Sequence, residues 1–212
     1  MKELFKGCWT IPNLISFIRI LLVPLFAYLF MQGDFVPAVI VLALSGLSDC
    51  VDGKIARKFN QISALGKVID PVADKLTQIT IAVMLFIDFK TATNPIINAL
   101  AWVFLVFLIK EGVMIVGGLI MLLLNIRPGA AEFWGKAATV VFYVGMVIII
   151  AVGPEVGALN DVLGFQLPNV ITGIIVVLCA IMTLAAFASY MPETFRQFKE
   201  CFAERKAKKE SK

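Results

Sequence analysis

Asp49-Cys-Val-Asp52-Gly53-Lys-Ile-Ala56-Arg57, followed after eight residues by Gly66-Lys-Val-Ile-Asp70-Pro-Val-Ala-Asp74, sets four aspartates inside a chain that is otherwise intensely apolar. Asp49 and Asp52 are three apart, and Asp70 and Asp74 four apart, so each pair shares one face of a helix. A charge inside a membrane span costs about 2.5–3.5 kcal/mol at the helix centre on insertion scales. Four acids there need a purpose and a compensation.

Of the 212 residues, 60% are hydrophobic and only 16% charged. A water-soluble domain would need far more polar surface. Apolar runs of about 18 residues or more recur along the chain, which predicts an all-α integral membrane protein forming one membrane domain over 1–212. The expected spans are 12–31, 36–56, 65–89, 96–124, 133–152 and 169–190, six in all. Residues 1–9 mix charged and bulky apolar side chains and predict a short interfacial helix. Thr10, Pro12 and Asn13 read as a helix start, and Pro192 lies behind the last span. No small-residue cleavage site follows the first span, so it is not read as a signal peptide.

Charge placement gives the orientation. With the N-terminus inside, the inner segments hold Lys2, Lys6, Arg57, Lys58, Arg127, Lys136 and a basic tail over 191–212, whereas the outer turns hold only Lys90. Lysine and arginine concentrate on short cytoplasmic loops, so a multi-pass protein of the cell membrane with both termini cytoplasmic is expected. Its acids would lie at the cytoplasmic face. Seven basic residues from Arg196 to Lys212 suit an anionic inner leaflet, or are a solvated tail. They do not argue for nucleic acid.

Cys8, Cys50, Cys179 and Cys201 form no metal-pair spacing, and the chain has no histidine. Acid–base work therefore falls to carboxylates, lysines, tyrosines or water. Converging carboxylates select hard cations, Mg²⁺, Mn²⁺ or Ca²⁺. Two such ions about 3.5–4 Å apart are a device for phosphodiester chemistry. Gly53, Ala56, Ala64 and Gly66 allow close approach of a helix or a ligand. Arg57 and Lys67 suit phosphate. A purely structural cluster, with Lys54, Arg57, Lys67 and Lys75 neutralising the acids, is the alternative.

These residues resemble the signature of the CDP-alcohol phosphotransferase (CDP-alcohol phosphatidyltransferase) family, whose eight fixed positions are all filled here across 26 residues. The six-span plan, Pro12-Asn13 and Arg19 look like the same family. The resemblance implies phospholipid biosynthesis by transfer of the phosphatidyl group of CDP-diacylglycerol to a polar alcohol. It implies two divalent metals, Mg²⁺ or Mn²⁺, one held by Asp49, Asp52 and Asp70, the other by Asp49, Asp70 and Asp74. Asp49, Gly53, Ala56, Arg57 and Gly66 would contact the CDP moiety, and Asp74 would be the general base. A homodimer in the lipid bilayer is expected, with Gly117 and Gly118 permitting close helix contact.

The chain looks most like the branch that makes phosphatidylglycerophosphate from glycerol 3-phosphate, in Thr10-Ile-Pro-Asn-Leu-Ile-Ser16 and in Asp70-Pro-Val-Ala-Asp-Lys75. That branch carries an Arg-Glu pair where this chain has Lys110-Glu111. It carries Gly-Lys-x-Lys-Thr where this chain has Gly135-Lys136-Ala-Ala138-Thr139, and an arginine where Gly118 stands. Fewer cations weaken a pocket for a phosphate dianion. A CDP-alcohol-type cardiolipin synthase using phosphatidylglycerol is therefore the alternative. Lys110, Arg127 and Lys136 are the candidate acceptor contacts, or else snorkelling rim residues. Two rivals fit less well. A membrane prenyltransferase would separate its acidic motifs, and a divalent-cation transporter would set acids near the midplane, often in both halves.

Overall fold

The computed structural model describes residues 10–58, 66–124 and 133–210, with the side chains of 12, 49–58, 67–68, 122, 133–134, 202 and 204–210 outside that description. The expected interfacial helix over 1–9 and Arg127 therefore lie outside the described residues. All described regular structure is helical: α1 (Ile11–Gln32), α2 (Phe35–Lys58), α3 (Gly66–Thr91), α4 (Pro95–Leu123), α5 (Phe133–Val152), a short α6 (Asn160–Leu163) and α7 (Asn169–Glu210).

Local chemistry sets the ends. Thr10 is extended and its side chain accepts from the Asn13 N–H at 3.4 Å, while the proline sits in the first turn, where no helical donor is lost. Gly33 closes α1 at φ 82°, and the Asp34 N–H reaches back to the Leu29 carbonyl at 3.0 Å. That left-handed cap suits glycine. Asn94 caps α4 by accepting from the Ile96 N–H at 2.9 Å.

Among the described residues, four helices are long and apolar enough to cross a membrane: Asn13–Gln32, Pro95–Met121, Gly135–Val152 and Asn169–Cys201. The apolar part of α2 runs over Phe35–Ser48, and α3 mixes Asp70, Asp74, Lys75 and Asp88 into its length.

Two expectations change. The last helix does not end before Pro192 but runs through it to Glu210. Proline removes one backbone donor and need not stop a helix whose other bonds persist. Here Ser189 Oγ and Thr194 Oγ1 bond to the Ala186 and Tyr190 carbonyls on either side, at 2.7 and 2.9 Å. The segment between α5 and α7 also holds the α6 turn.

The helices close a ring in the order α2, α1, α3, α4, α7, α5 and back to α2. Both α2 and α3 pack extensively on α1. The interior is apolar, with Phe26, Leu42, Ile81, Phe89, Phe104 and Met146 almost fully buried. Leu21, Leu25, Ile109, Val116, Ile174 and Ile181 face outward, as a lipid-facing surface requires. Successive long helices alternate in direction. The start of α1, α3 and α5 and the end of α2 and α4 therefore gather at one end of the ring, with residue 190 of α7.

Candidate active site

At that end α3 carries Asp70 and Asp74 one turn apart. Helix α1 holds both. Ser16 Oγ donates to Asp70 Oδ1, and Arg19 Nη1 pairs with Asp74 Oδ1 at 2.9 Å. Ser16 and Arg19 are themselves three apart, so one face of α1 meets one face of α3. Arg19 is 2% exposed, and Asp74 is 41% exposed. The arginine needs its partner because burial would otherwise leave its charge uncompensated. The aspartate keeps access to the space beyond.

That space is two cavities meeting at one wall. The first, about 470 Å³, is lined by Asp70, Asp74, Lys75, Lys110, Glu111, Gly135, Lys136 and Tyr190 among others. The second, about 430 Å³, is lined mainly by apolar parts of α2 and α5, with Arg19 and Asp74 at its polar edge. Asp74, Gln78, Thr139 and Val140 line both. Asp74 thus stands between a lysine-lined space and an apolar one.

Charge on the first cavity's far wall is organised by Glu111 of α4. It is wholly buried. Its Oε2 accepts from Lys75 Nζ at 2.7 Å, and its Oε1 from Lys110 Nζ. Lys110 also lies over the Phe107 ring, 5.4 Å from its centroid. Phe107 stacks on Phe142 of α5, with centroids 4.3 Å apart, which fixes the α4–α5 spacing. A Cβ on Gly135 would collide with the Tyr190 hydroxyl, so glycine there permits the approach of α7 to α5. On the other side Tyr143 donates to the Leu42 carbonyl and lies on Gly46, joining α5 to α2.

Of the residues singled out in the sequence, the cavity brings together Asp70, Asp74, Lys110 and Lys136. Gly66 is buried at the start of α3. Asp49, Asp52, Gly53, Ala56 and Arg57 lie on the last turns of α2, their side chains outside the described residues. No three described carboxylates, cysteines or histidines converge as a ready metal site. Trp102 faces outward. Ser16 was not anticipated, and neither was the bracketing of Glu111 by two lysines. A lone arginine in an apolar span was the available signal for a buried acidic partner.

The sequence profile of the CDP-alcohol phosphatidyltransferase family matches residues 9–186. A Streptomyces coelicolor protein named cardiolipin synthase (CMP-forming) is 40% identical over 136 residues, 61% of this chain and 60% of that one. A human protein of the same name is 51% identical over 75 residues, 35% of this chain and 25% of that one. An Aquifex aeolicus protein named CDP-diacylglycerol–glycerol-3-phosphate 3-phosphatidyltransferase is 27% identical over 194 residues, 92% of this chain and 99% of that one. The chain thus matches about three fifths of the Streptomyces relative's length and a quarter of the human one's.

Proposed function

The chain belongs to the CDP-alcohol phosphatidyltransferase family, and from that premise we propose that it transfers the phosphatidyl group of CDP-diacylglycerol to the hydroxyl of a phosphoglycerol acceptor, releasing CMP. The observation that carries this is Asp74, half-exposed at the wall shared by a lysine-lined and an apolar cavity. A lipid donor and a polar acceptor must meet at one reactive group, and these cavities suit the two halves of that encounter. The acceptor oxygen bonds to the phosphorus that carries diacylglycerol. The bond from that phosphorus to the departing CMP breaks, and the hydroxyl proton passes to the Asp74 carboxylate. Arg19 and Ser16 fix the two α3 carboxylates, so the base is positioned before substrate arrives. Gly53, Ala56, Arg57 and Gly66 are the residues proposed to receive the nucleotide, with Asp49 beside them.

Two divalent ions, Mg²⁺ or Mn²⁺, belong to the reading. The donor chemistry fits, since the described acids that line the cavity beside the proposed base are hard carboxylates and the chain has no histidine. Asp49, Asp52, Asp70 and Asp74 would hold them, and the ions would stabilise charge on the attacking and leaving oxygens. Six spans, both termini cytoplasmic, the active site at the cytoplasmic face and a pair of copies complete the proposal. The lysine and arginine distribution supports the orientation, and the open Cβ positions of Gly117 and Gly118 on α4 support the pairing.

Two acceptors share the phosphoglycerol chemistry. Phosphatidylglycerol is supported by the relatives named cardiolipin synthase and by Ala138 standing in the cavity wall where a second lysine would add charge. Glycerol 3-phosphate, the sequence's first expectation, is supported by the near full-length Aquifex relative. The test is an acceptor panel. Purified protein with CDP-diacylglycerol and Mn²⁺ is offered phosphatidylglycerol, glycerol 3-phosphate, inositol phosphate or serine, and CMP is measured. Release with a glycerol acceptor and not with serine is expected, and no release with any alcohol contradicts the reading.

A further inference from the structure

Polar side chains stand along the inner edge of the apolar cavity, and most of them are satisfied within the protein. Arg19 pairs with Asp74. Thr77, Thr139 and Tyr143 donate to the backbone carbonyls of Ala73, Gly135 and Leu42. Ser45 Oγ of α2 is fully covered and has no partner among the described residues. Gln78 of α3 differs from all of these. It is 5% exposed and lines both cavities, and its carboxamide makes no hydrogen bond to a described residue. A primary amide offers two N–H donors and a carbonyl acceptor. Leaving them unmatched in an apolar cavity is costly, and nothing in the helix packing makes use of them. Such a group holds ordered water or receives a ligand.

Its position says which part of a ligand it would meet. Gln78 follows Asp74 by four residues, so it shares that face of α3 and lies about 6 Å further from the active-site end. In the proposed reaction the phosphorus sits at Asp74. In an acylglycerol phospholipid the ester carbonyls come a few bonds after the phosphorus, and hydrocarbon follows. The cavity repeats that order: the Asp74 carboxylate, the Gln78 carboxamide, then Val144, Val147 and Ile148 of α5. An ester carbonyl only accepts, and the amide N–H donates. We propose that Gln78 binds the substrate lipid directly, its carboxamide N–H donating to an acyl ester carbonyl, and so favours ester-linked over ether-linked lipid. CDP-diacylglycerol and phosphatidylglycerol both carry such esters. This rests on the phosphatidyl-transfer reading of the two cavities.

The test uses the full chain in mixed micelles with Mn²⁺ and reads kcat/KM from CMP release. One arm compares CDP-diacylglycerol with its dialkyl ether analogue, using the acceptor that the panel above selects. The other compares phosphatidylglycerol with its dialkyl ether analogue at fixed CDP-diacylglycerol. Should phosphatidylglycerol not serve as acceptor, the first arm decides alone. The unaltered protein is expected to favour the ester about fivefold in one arm, the worth of one hydrogen bond, and that arm identifies the lipid held. Gln78→Leu is expected to bring the ratio close to one by losing rate with the ester and not with the ether. Its fold should hold, since the group removed has no partner in the protein. No ester preference in either arm, or a preference that Gln78→Leu leaves intact, overturns the proposal. So does a Gln78→Leu protein that fails to fold, because the carboxamide would then belong to the helix packing. No CMP from the unaltered protein with any alcohol is a different failure, that of the phosphatidyl-transfer reading, and takes this proposal with it.

Discussion

Arg19 and Asp74 are an asymmetric pair, one shut in among α1, α2 and α3, the other open to two cavities. Removing the arginine leaves a half-solvated carboxylate, so the stability cost is modest, about 1–2 kcal/mol after discounting for solvent. With Asp74 as the proposed base, the positional cost is larger, because a base displaced by about 1 Å can lose on the order of a hundredfold in rate. Arg19→Gln is therefore expected to fold, to melt a few degrees lower, and to release CMP at least about tenfold more slowly at saturating donor. Thermal melts beside steady-state CMP assays check both halves. A melt shift with no rate change would make the pair structural only. The spacing of Ser16 and Arg19 put them on one face, but nothing in it specified which helix that face would meet. Their partners lie 54 and 55 residues away, and a register between helices is a property of packing rather than of either sequence.

Helix ends were legible where a side chain or a backbone conformation enforces them: the Thr10 cap, the left-handed Gly33 and the Asn94 cap of α4. The end of α7 was not. A proline reads as a stop only if the neighbouring bonds are lost with it, and around Pro192 they persist. The joining of α2 to α5 was not legible either, since it depends on one glycine, Gly46, lying beneath the Tyr143 ring. A Cβ there meets the ring carbons. Gly46→Ala is expected to cost about 1–3 kcal/mol through overpacking. Tyr143→Leu should recover part of that loss in the double variant. A thermodynamic cycle over the four proteins measures this, and strict additivity of the two changes would contradict the contact.

For the whole molecule, the four apolar helices and the two acid-bearing ones, α2 and α3, follow from composition, because each must bury or lipid-face its apolar side chains. The ring order and the two cavities do not, since they arise from α1 standing between α2 and α3. Of the candidate site, the α3 aspartates and the lysines were readable as residue types, and their division into two cavities was not. The proposed six-span arrangement predicts opposite exposure of the two ends. In a cysteine-free background, Lys90→Cys should react with an impermeant maleimide only from outside the cell, and a cysteine restored at Cys201 only from inside. Labelling of both from one side would break the topology.

In the proposed reaction Asp74 takes the proton of a metal-dependent phosphatidyl transfer. The most direct measurement is CMP release from CDP-diacylglycerol and phosphatidylglycerol by the unaltered protein and by Asp74→Asn, with Mn²⁺ and after chelation. Asparagine can still accept from Arg19, so the fold should hold. CMP release is expected to stop on chelation, return with Mn²⁺, and fall by about a hundredfold or more in Asp74→Asn, in line with the loss of a general base. Undiminished release by Asp74→Asn, or release that persists without a divalent cation, would contradict it.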